Sequence, residues 1–333
     1  MIKVKKAFSL IEVIFVLVIL GIVASISSQI IVQVYENYIT QKALYTTSSK
    51  TEMAINQIVN RLTFSIENTT ITKDPLSTIA YTKASEGTNW IRLKNIDVNL
   101  SNSRRYTSIE WIGYDNDGFS ATEAPHWSGI ADYDDNITAT TGGFTTPGSR
   151  LDLAGNVIDN LSNGKVKMDG VGGTLPAVIF SDEYYLGNAP LGIIHDPACM
   201  GLIDETNTTC ISRVQRNNNT SFTFPDAKQK KITERYKLAW SAYALVPEEI
   251  IKDGKGTGLF NLFLYSNYQP WNNENYEDDG DKNLLINNVS VFKFTENGGV
   301  IQIKLCASAD IGERNATNEP VYISSCKEKA IIK

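Results

Sequence analysis

The hydrophobic positions of this chain follow two different patterns, and the change between them lies near residue 74. An uncharged and mostly apolar run extends from Val13 to Tyr35, which is 23 consecutive residues without a charged side chain. As an α-helix rising about 1.5 Å per residue, this run is long enough to cross a bilayer core of about 30 Å. The pattern predicts one membrane-spanning helix close to the N-terminus.

The helical pattern continues beyond the apolar run. Apolar residues separated mostly by three or four positions, with polar residues between them, recur at Leu44, Ile55, Ile58, Val59, Leu62 and Ile66. No proline lies in this stretch, and Asp74–Pro75 is the first strong helix breaker. We therefore predict one helix over residues 8–73 that is membrane-spanning first and amphipathic afterwards.

The remainder of the chain carries strand signals and forms the predicted head domain, residues 74–333. Short apolar or alternating runs bounded by turn residues predict strands at 90–93, 106–114, 177–180, 236–246, 259–265, 284–294 and 300–305. The turn sequence Glu296–Gly299 predicts a hairpin before the last of these runs. Residues 115–175 are rich in Gly, Asn, Asp, Ser and Thr and are interpreted as a loop-rich insertion, either surface loops or an inserted subdomain. The fold class is α+β.

Composition and motifs argue against two broad function classes. The 37 acidic residues outnumber the 31 basic ones and give a net charge of -6, which does not favour nucleic-acid binding. With two histidines and no nucleophile elbow, P-loop or H-E-x-x-H motif, the chain offers no catalytic constellation, and we expect no enzyme. His126 is interpreted as a surface residue, and the glycine-rich residues 254–258 as a strand connection. A zinc site at His195, Cys199 and Cys210 lacks the C-x-x-C spacing of structural zinc.

The charges beside the apolar run predict its orientation. Lys3, Lys5 and Lys6 precede the run without an acidic residue, which favours a cytoplasmic N-terminus with the rest of the chain on the outer side. A cleaved secretory signal is the alternative interpretation, because Ser25, Ser27 and Ser28 could imitate a cleavage site. That alternative leaves Glu12 without a role, although a carboxylate at the start of a membrane span is costly and usually has a partner.

Residues 5–13, Lys-Lys-Ala-Phe-Ser-Leu-Ile-Glu-Val, resemble the leader-peptidase site of type IV prepilins and type II secretion pseudopilins. The resemblance covers about the first 35 residues of the chain. It implies a leader of residues 1–7 and cleavage by prepilin peptidase between Ala7 and Phe8, followed by N-methylation of Phe8. The family usually has Gly before the cut, so Ala7 implies less efficient cleavage. It also implies a type IV pilin-like fold in the bacterial inner membrane, in which an antiparallel-sheet head lies in the periplasm.

In this family, the resemblance assigns Glu12 to assembly. After cleavage, the Glu12 carboxylate of one subunit would neutralise the N-terminal amine of a neighbour, because both charges lie in a low-dielectric helical bundle. The alternative is that Glu12 merely reaches the lipid headgroups. The implied partners are prepilin peptidase, other pilins or pseudopilins and the inner-membrane assembly platform, and no cofactor is required.

A second, pattern-level resemblance concerns residues 236–306. Their successive strands are similar to the C-terminal sheets of J-type pseudopilins and W-type minor pilins. A head of roughly 260 residues is bulky for a repeated subunit, and no Pro lies in residues 8–73. We therefore expect a minor pilin or pseudopilin near the fibre tip. The alternative is a tip adhesin or DNA-uptake subunit that uses residues 115–175, or the basic residues Lys228–Lys231, as its contact surface.

All four cysteines lie in the predicted periplasmic part and are expected to form two disulfides. Three connectivities are possible, and proximity along the chain favours Cys199 with Cys210 and Cys306 with Cys326. The second pair would join the C-terminal strand to the hairpin before it.

Oxygen-rich turns suggest a calcium site. Residues 115–118, 132–136 and 277–281 each group carboxylates with turn residues, although none has the EF-hand spacing. The first choice is Asp278, Asp279 and Asp281, and the alternative is a solvated acidic loop. Asn-x-Ser/Thr motifs at Asn136, Asn207 and Asn315 are compatible with N-glycosylation but are frequent in an Asn-rich chain.

Overall fold

The computed structural model describes residues 9–74, 89–96, 107–119, 125–132, 134–135, 142–180, 197–226, 232–251, 258–316 and 318–333. Its α-helices are α1 (Leu10–Thr63), α2 (Asn116–Phe119), α3 (Leu151–Leu161) and α4 (Tyr276–Asp279). Its strands are β1 (Ile71–Lys73), β2 (Trp90–Arg92), β3 (Ser108–Gly113), β4 (Gly143–Thr145), β5 (Ala177–Phe180), β6 (Ser212–Arg213), β7 (Gln215–Asn218), β8 (Ser221–Thr223), β9 (Tyr236–Ala239), β10 (Ser241–Ile251), β11 (Leu259–Tyr268), β12 (Asp281–Asn297), β13 (Val300–Arg314) and β14 (Pro320–Ile332).

The long N-terminal helix is shorter than the sequence pattern predicts. α1 ends at Thr63, whereas the prediction extended it to residue 73. Beyond Phe64 the backbone N–H of Ile66 donates to Ile112 of β3, and Asn68 adopts a left-handed conformation with φ 58°. The β-branched residues that follow form β1, which pairs with both β2 and β3. The chain thus enters the head domain about ten residues before the first proline.

The head is organised around an eight-stranded sheet in the order β14-β13-β12-β11-β10-β3-β1-β2, in which every neighbouring pair is antiparallel. The predicted hairpin between β12 and β13 is present, and Gly298 and Gly299 supply the positive φ values that its turn requires. β13 and β14 pair in regular register from Val300 opposite Ile332 to Asp310 opposite Tyr322.

One face of this sheet is covered by the C-terminal half of α1. The helix residues Ala54, Ile55, Ile58 and Leu62 are buried against apolar side chains from β12, β13 and β14. Burial along α1 begins only at Thr47, so the helix has one half in the head and one half outside it. This arrangement is the amphipathic second half that the 3–4 spacing predicts.

The opposite face of the sheet packs on the disulfide loop and on β5. Two three-stranded sheets, β4-β8-β7 and β6-β5-β9, flank a third apolar cluster centred on Trp127, Phe144, Phe222 and Tyr236. α3 buries Leu151, Ala154 and Ile158 in this cluster. In the described residues, the insertion therefore contributes to a packed core that it shares with β5, β8 and β9, and surface loops alone do not describe it.

Candidate assembly site

The N-terminal half of α1 presents apolar side chains on all sides. Its Leu, Ile, Val and Phe residues from Leu10 to Val34 are each between 48 and 81% exposed, and none of them contacts the head domain as a buried residue. By length and composition this part of α1 can cross a membrane. A helix that is apolar on all sides has to be covered by lipid or by other helices.

Glu12 lies in the first turn of this helix and takes part in its N-terminal cap. The Glu12 Oε2 atom accepts a hydrogen bond of 2.9 Å from the backbone N–H of Ser9. The Ser9 Oγ atom accepts one of 3.3 Å from the backbone N–H of Ile11. Together they form a capping box, which satisfies backbone donors that the helix itself leaves without acceptors.

The sequence interpretation of Glu12 did not include this cap. The signal was available, since Ser9-Leu10-Ile11-Glu12 has the S-x-x-E spacing of a capping box directly before an apolar run. A carboxylate has about four acceptor positions, so one backbone hydrogen bond leaves capacity for a second donor. The cap and a charge partner are compatible roles for the same side chain.

Glu12 is also the one charged residue between Leu10 and Tyr35. A single carboxylate on an otherwise apolar helix is a strong anchor for a cation, because the low dielectric around it strengthens the attraction. Ala7 and Phe8, the predicted processing residues, lie outside the described residues, and their cleavage and methylation stay predictions.

The C-terminal half of α1 is joined to the sheet by an ion-pair cluster. Glu52 lies 3.0 Å from Lys329 and 3.5 Å from Lys327, both on β14. The hydrogen bond from Lys329 lowers the pKa of the solvent-exposed Glu52 carboxyl, and the charge of Lys327 acts in the same direction. These pairs orient the helix over the sheet, whereas the buried side chains supply most of the attachment energy.

The four cysteines form the two disulfides that proximity favours. Cys199 and Cys210 have Cα atoms 5.3 Å apart, and Cys306 and Cys326 have Cα atoms 4.0 Å apart. Cys306 lies on β13 directly opposite Cys326 on β14, so this bond joins the C-terminal strand to the hairpin. Cys199–Cys210 closes a short irregular segment in which Cys210 N–H also donates to Cys199 O.

The predicted calcium ligands are engaged in local hydrogen bonds. Asp278 and Asp279 belong to α4, where both accept hydrogen bonds from Asn275, and Asp281 accepts one from the side chain of Asn267. Within the described residues, no group of three or more His, Cys, Asp or Glu side chains lies close enough together to hold a metal ion. The short helix and its cap account for this acidic run locally, and calcium binding stays a prediction.

The other candidate residues are dispersed. His126 is half-buried rather than at the surface, because its backbone N–H donates to Gly118 O and its carbonyl accepts from Arg150 N–H. The side-chain amide of Asn207 donates to Ala198 O, and Asn315 is exposed in the connection between β13 and β14. Asn136, His195, residues 228–231 and the glycine-rich stretch 254–257 lie outside the described part of the chain, as do residues 133 and 136 of the second oxygen-rich turn.

Comparison with protein families assigns the N-terminus. Residues 2–28 match the family described as the prokaryotic N-terminal methylation motif. No curated protein and no solved structure matches the chain. The matched motif supports a type IV pilin or pseudopilin, and therefore a structural subunit that prepilin peptidase processes and that assembles with other pilins. The long apolar helix followed by antiparallel sheets fits the same class.

Proposed function

We propose that this protein is a minor pilin or pseudopilin, a low-copy subunit near the tip of a type IV pilus or of a type II secretion pseudopilus. Prepilin peptidase removes residues 1–7 and methylates Phe8, and the subunit waits in the inner membrane with its head in the periplasm. It then enters the fibre through the apolar half of α1.

The observation that carries this proposal is the division of α1 into two halves. The segment that includes Ala54, Ile55 and Leu62 is buried against the head, whereas the segment from Leu10 to Val34 is exposed along its whole circumference. A membrane anchor alone needs about 20 apolar residues and no carboxylate in its first turn. An apolar helix with one acidic group at its start is suited to a bundle of identical or related helices.

Glu12 provides the register of that bundle. Once the leader is removed, the chain begins with an amine four residues before Glu12, and a neighbouring subunit displaced along the fibre axis brings its own amine to this carboxylate. The charge pair stabilises the correct axial displacement, because any other displacement leaves both charges unpaired in an apolar environment. The Ser9 cap holds the Glu12 side chain at the helix start, where an incoming amine can reach it.

The head favours a position near the tip. The chain past α1 comprises roughly 270 residues, with an eight-stranded sheet and two smaller sheets. Subunits stacked along a helical fibre share a limited axial rise, and a bulky head is accommodated most easily where no further subunit lies above it. This geometric argument supports a low copy number.

The capping box allows an experiment that separates the charge of Glu12 from its role in the helix cap. Glu12→Gln keeps an acceptor at the third helical position, because Gln is as suitable as Glu in a capping box, but it removes the charge. Ser9→Ala removes the other half of the box and keeps the carboxylate. We expect Glu12→Gln to accumulate in the inner membrane in cleaved form and to be lost from sheared fibres or the cross-linked complex, whereas Ser9→Ala is incorporated.

Three outcomes separate the alternatives. Normal incorporation of Glu12→Gln together with loss of Glu12→Ala would assign Glu12 to helix capping only. Normal incorporation of both variants would contradict the proposed mechanism. Failure of Ala7→Asp to block the mass decrease expected from removal of residues 1–7 would contradict processing at this site.

A further inference from the structure

A groove of about 450 Å³ lies beside α1, between the helix and the strands β12 and β13. Along the helix it extends from Tyr35 to Lys50, and its other wall consists of residues 286–288 and 307–310. Thr47, the first buried residue of α1, also lines it. The groove therefore begins at the end of the membrane-spanning run and reaches the point where α1 meets the head.

The membrane end of the groove lies at the depth of lipid headgroups. Tyr35 is the last of the 23 residues of the uncharged run, which as a helix is about 34 Å long and covers a hydrocarbon core of about 30 Å. The headgroup layer adds about 5–7 Å on each side of that core. Tyr38 lies about 4.5 Å beyond Tyr35 along the helix axis, and therefore within this layer.

Apolar and aromatic side chains line this end of the groove. Tyr35 and Tyr38 are 64% and 59% exposed, and both contribute to the groove wall. Tyrosine is enriched where helices leave the hydrocarbon core, because its ring is apolar and its hydroxyl is polar. Ile39 lines the same end and is half-buried. These side chains offer contacts for the glycerol and the first acyl carbons of a lipid.

Lys42 brings a positive charge to the same depth. Its backbone lies about 10 Å beyond Tyr35, but side chains on a helix point toward its N-terminus, which here is the direction of the membrane. The Lys42 Nζ atom lies 5.9 Å from the ring centroid of Tyr38, one helical turn nearer the membrane. The ammonium is thus placed beside an interfacial aromatic ring, at the depth of the lipid phosphates.

The charges of the groove favour an anion at this end. Among the described residues that line it, Lys42 and Lys50 are the cations and Asp310 is the carboxylate. The charge of Asp310 is offset by Arg314, whose Nη1 atom lies 3.4 Å from Asp310 Oδ2. Glu36 is about 120° away from Lys42 around the helix axis and does not belong to the groove lining in the described part of the chain. The membrane end of the groove is therefore cationic.

We propose that the membrane end of this groove binds the phosphate of an anionic phospholipid, on the side of the membrane that carries the head. Lys42 donates to the phosphate, and the rings of Tyr35 and Tyr38 pack against the glycerol and the upper acyl chain. The bilayer surrounds α1 at this depth, so its lipids reach the groove whenever the subunit is inserted. This inference rests on the membrane-resident stage of the proposed function.

Lys50 lines the same groove but lies too far from the bilayer. It follows Tyr35 by 15 residues, which corresponds to about 22 Å along the helix and exceeds the headgroup layer by more than the length of a lysine side chain. Lys42 and Lys50 are therefore a matched pair of the same residue type at different depths. The pair separates lipid binding from a general effect of positive charge.

The test uses the full-length protein in nanodiscs with equal amounts of phosphatidylglycerol and phosphatidylcholine. Native mass spectrometry of the released protein counts the molecules of each lipid that stay bound. Lys42→Gln should lose one bound phosphatidylglycerol, whereas Lys50→Gln should retain it. Lys3, Lys5 and Lys6 are present in every variant, so the lipids that they bind form a constant background.

Two further measurements locate the contact. Solid-state NMR of protein labelled at its lysine side-chain nitrogens should show a weaker dipolar coupling to lipid phosphorus in Lys42→Gln, and an unchanged coupling in Lys50→Gln. Tyr38→Ala should also reduce the bound phosphatidylglycerol, because it removes the ring beside the ammonium. Tyr45→Ala is its control, since Tyr45 is exposed about 15 Å beyond Tyr35 and outside the groove lining.

Equal retention of phosphatidylglycerol by wild type and Lys42→Gln would overturn the inference. An equal loss in Lys42→Gln and Lys50→Gln would assign the effect to net charge and overturn it as well, as would a preference of the wild type for phosphatidylcholine. Any of these results in protein that inserts into nanodiscs leaves the proposed pilin role intact. Protein that does not insert into nanodiscs would contradict both.

Discussion

The side-chain ammonium of Lys333 donates a hydrogen bond of 3.0 Å to the carbonyl oxygen of Thr63, the last residue of α1. The same ammonium also donates to the carbonyl oxygens of Leu62 and Ser65. Carbonyl oxygens at a helix C-terminus lack hydrogen-bond donors within the helix and carry partial negative charge. Lys333 therefore caps α1 from the end of β14, 270 residues away in sequence.

Replacement of this lysine tests the cap. Lys333→Met keeps most of the aliphatic length but removes the three donors, and we expect the free energy of unfolding to fall by about 1–2 kcal/mol. Thermal melting followed by near-ultraviolet circular dichroism in micelles measures the change. Lys304→Met is the control, because Lys304 forms an exposed pair with Glu328 and should change stability by less than about 0.5 kcal/mol.

The attachment of α1 to the sheet gives a second prediction. Ile55 is fully buried in the helix–sheet core, whereas Met53, two residues earlier, is 58% exposed. Ile55→Ala should destabilise the head by about 2–5 kcal/mol, since it removes buried methylene groups and leaves a cavity. Met53→Ala should have little effect. Equal losses in both variants would contradict the described packing of α1.

A third prediction concerns pH. Burial raises the pKa of the Asp115 carboxyl to about 6 from an ordinary value of 3.8, although hydrogen bonds from Gly118 N–H and Trp127 Nε1–H act in the opposite direction. The folded state therefore holds this proton more tightly than the unfolded state does. The resulting contribution to stability is complete below pH 3.8 and is lost as the pH rises through about 6.

Denaturant unfolding at pH 4.5 and pH 7.5 measures this contribution. From this group we expect the unfolding free energy to be about 2 kcal/mol lower at pH 7.5 than at pH 4.5. Asp115→Asn should remove that slope whatever its effect on absolute stability. A slope that is the same in both proteins would show that Asp115 does not titrate in this range.

The two disulfides should differ in what their removal does. The strands around Cys306 and Cys326 are paired along most of their length, so the double Ser variant should keep its hairpin and lose at most about 3 kcal/mol. Cys199 and Cys210 instead close a loop with little regular structure. Removing that pair should expose residues 200–209 to limited proteolysis, which mass spectrometry of the fragments would detect.

Calcium binding has a direct test. A site at Asp278, Asp279 and Asp281 predicts heat on titration with calcium and a lower melting temperature in chelator, both abolished by Asp278→Asn with Asp281→Asn. A titration without heat and an unchanged melting temperature would remove the prediction. Asp159→Asn, which changes a residue paired with Lys167, serves as the control.

The sequence pattern predicts the architecture well where the spacing of apolar residues stays regular over many positions or where a turn has a clear signature. The 3–4 spacing around Ile55 and Leu62 identifies the buried half of α1, and the turn at Gly298 identifies the β12–β13 hairpin. The end of α1 was misplaced because Glu67 to Thr70 contains no proline or glycine, and β1 forms only through pairing with strands distant in sequence. The intrinsic strand propensity of these residues does not indicate which distant strands they pair with.

The composition of residues 115–175 also did not predict how the insertion is organised. Its Gly- and Asn-rich stretches surround a few widely separated aromatic residues, among them Trp127 and Phe144, that meet Phe222 of β8 only in three dimensions. Glu12 differs, since both its motif and its cap can be read from adjacent residues.

The return of β14 to α1 has a mechanical consequence. β14 is bonded to β13 through a disulfide and to the C-terminal half of α1 through the ion pairs of Lys327 and Lys329 with Glu52. Lys333, which follows β14, donates to the end of α1. Tension applied along α1 is thus shared among these contacts between α1, β13 and β14. It is not borne only by the single covalent connection after Thr63. A head held in this way can bear tension along α1 without relying on that one connection.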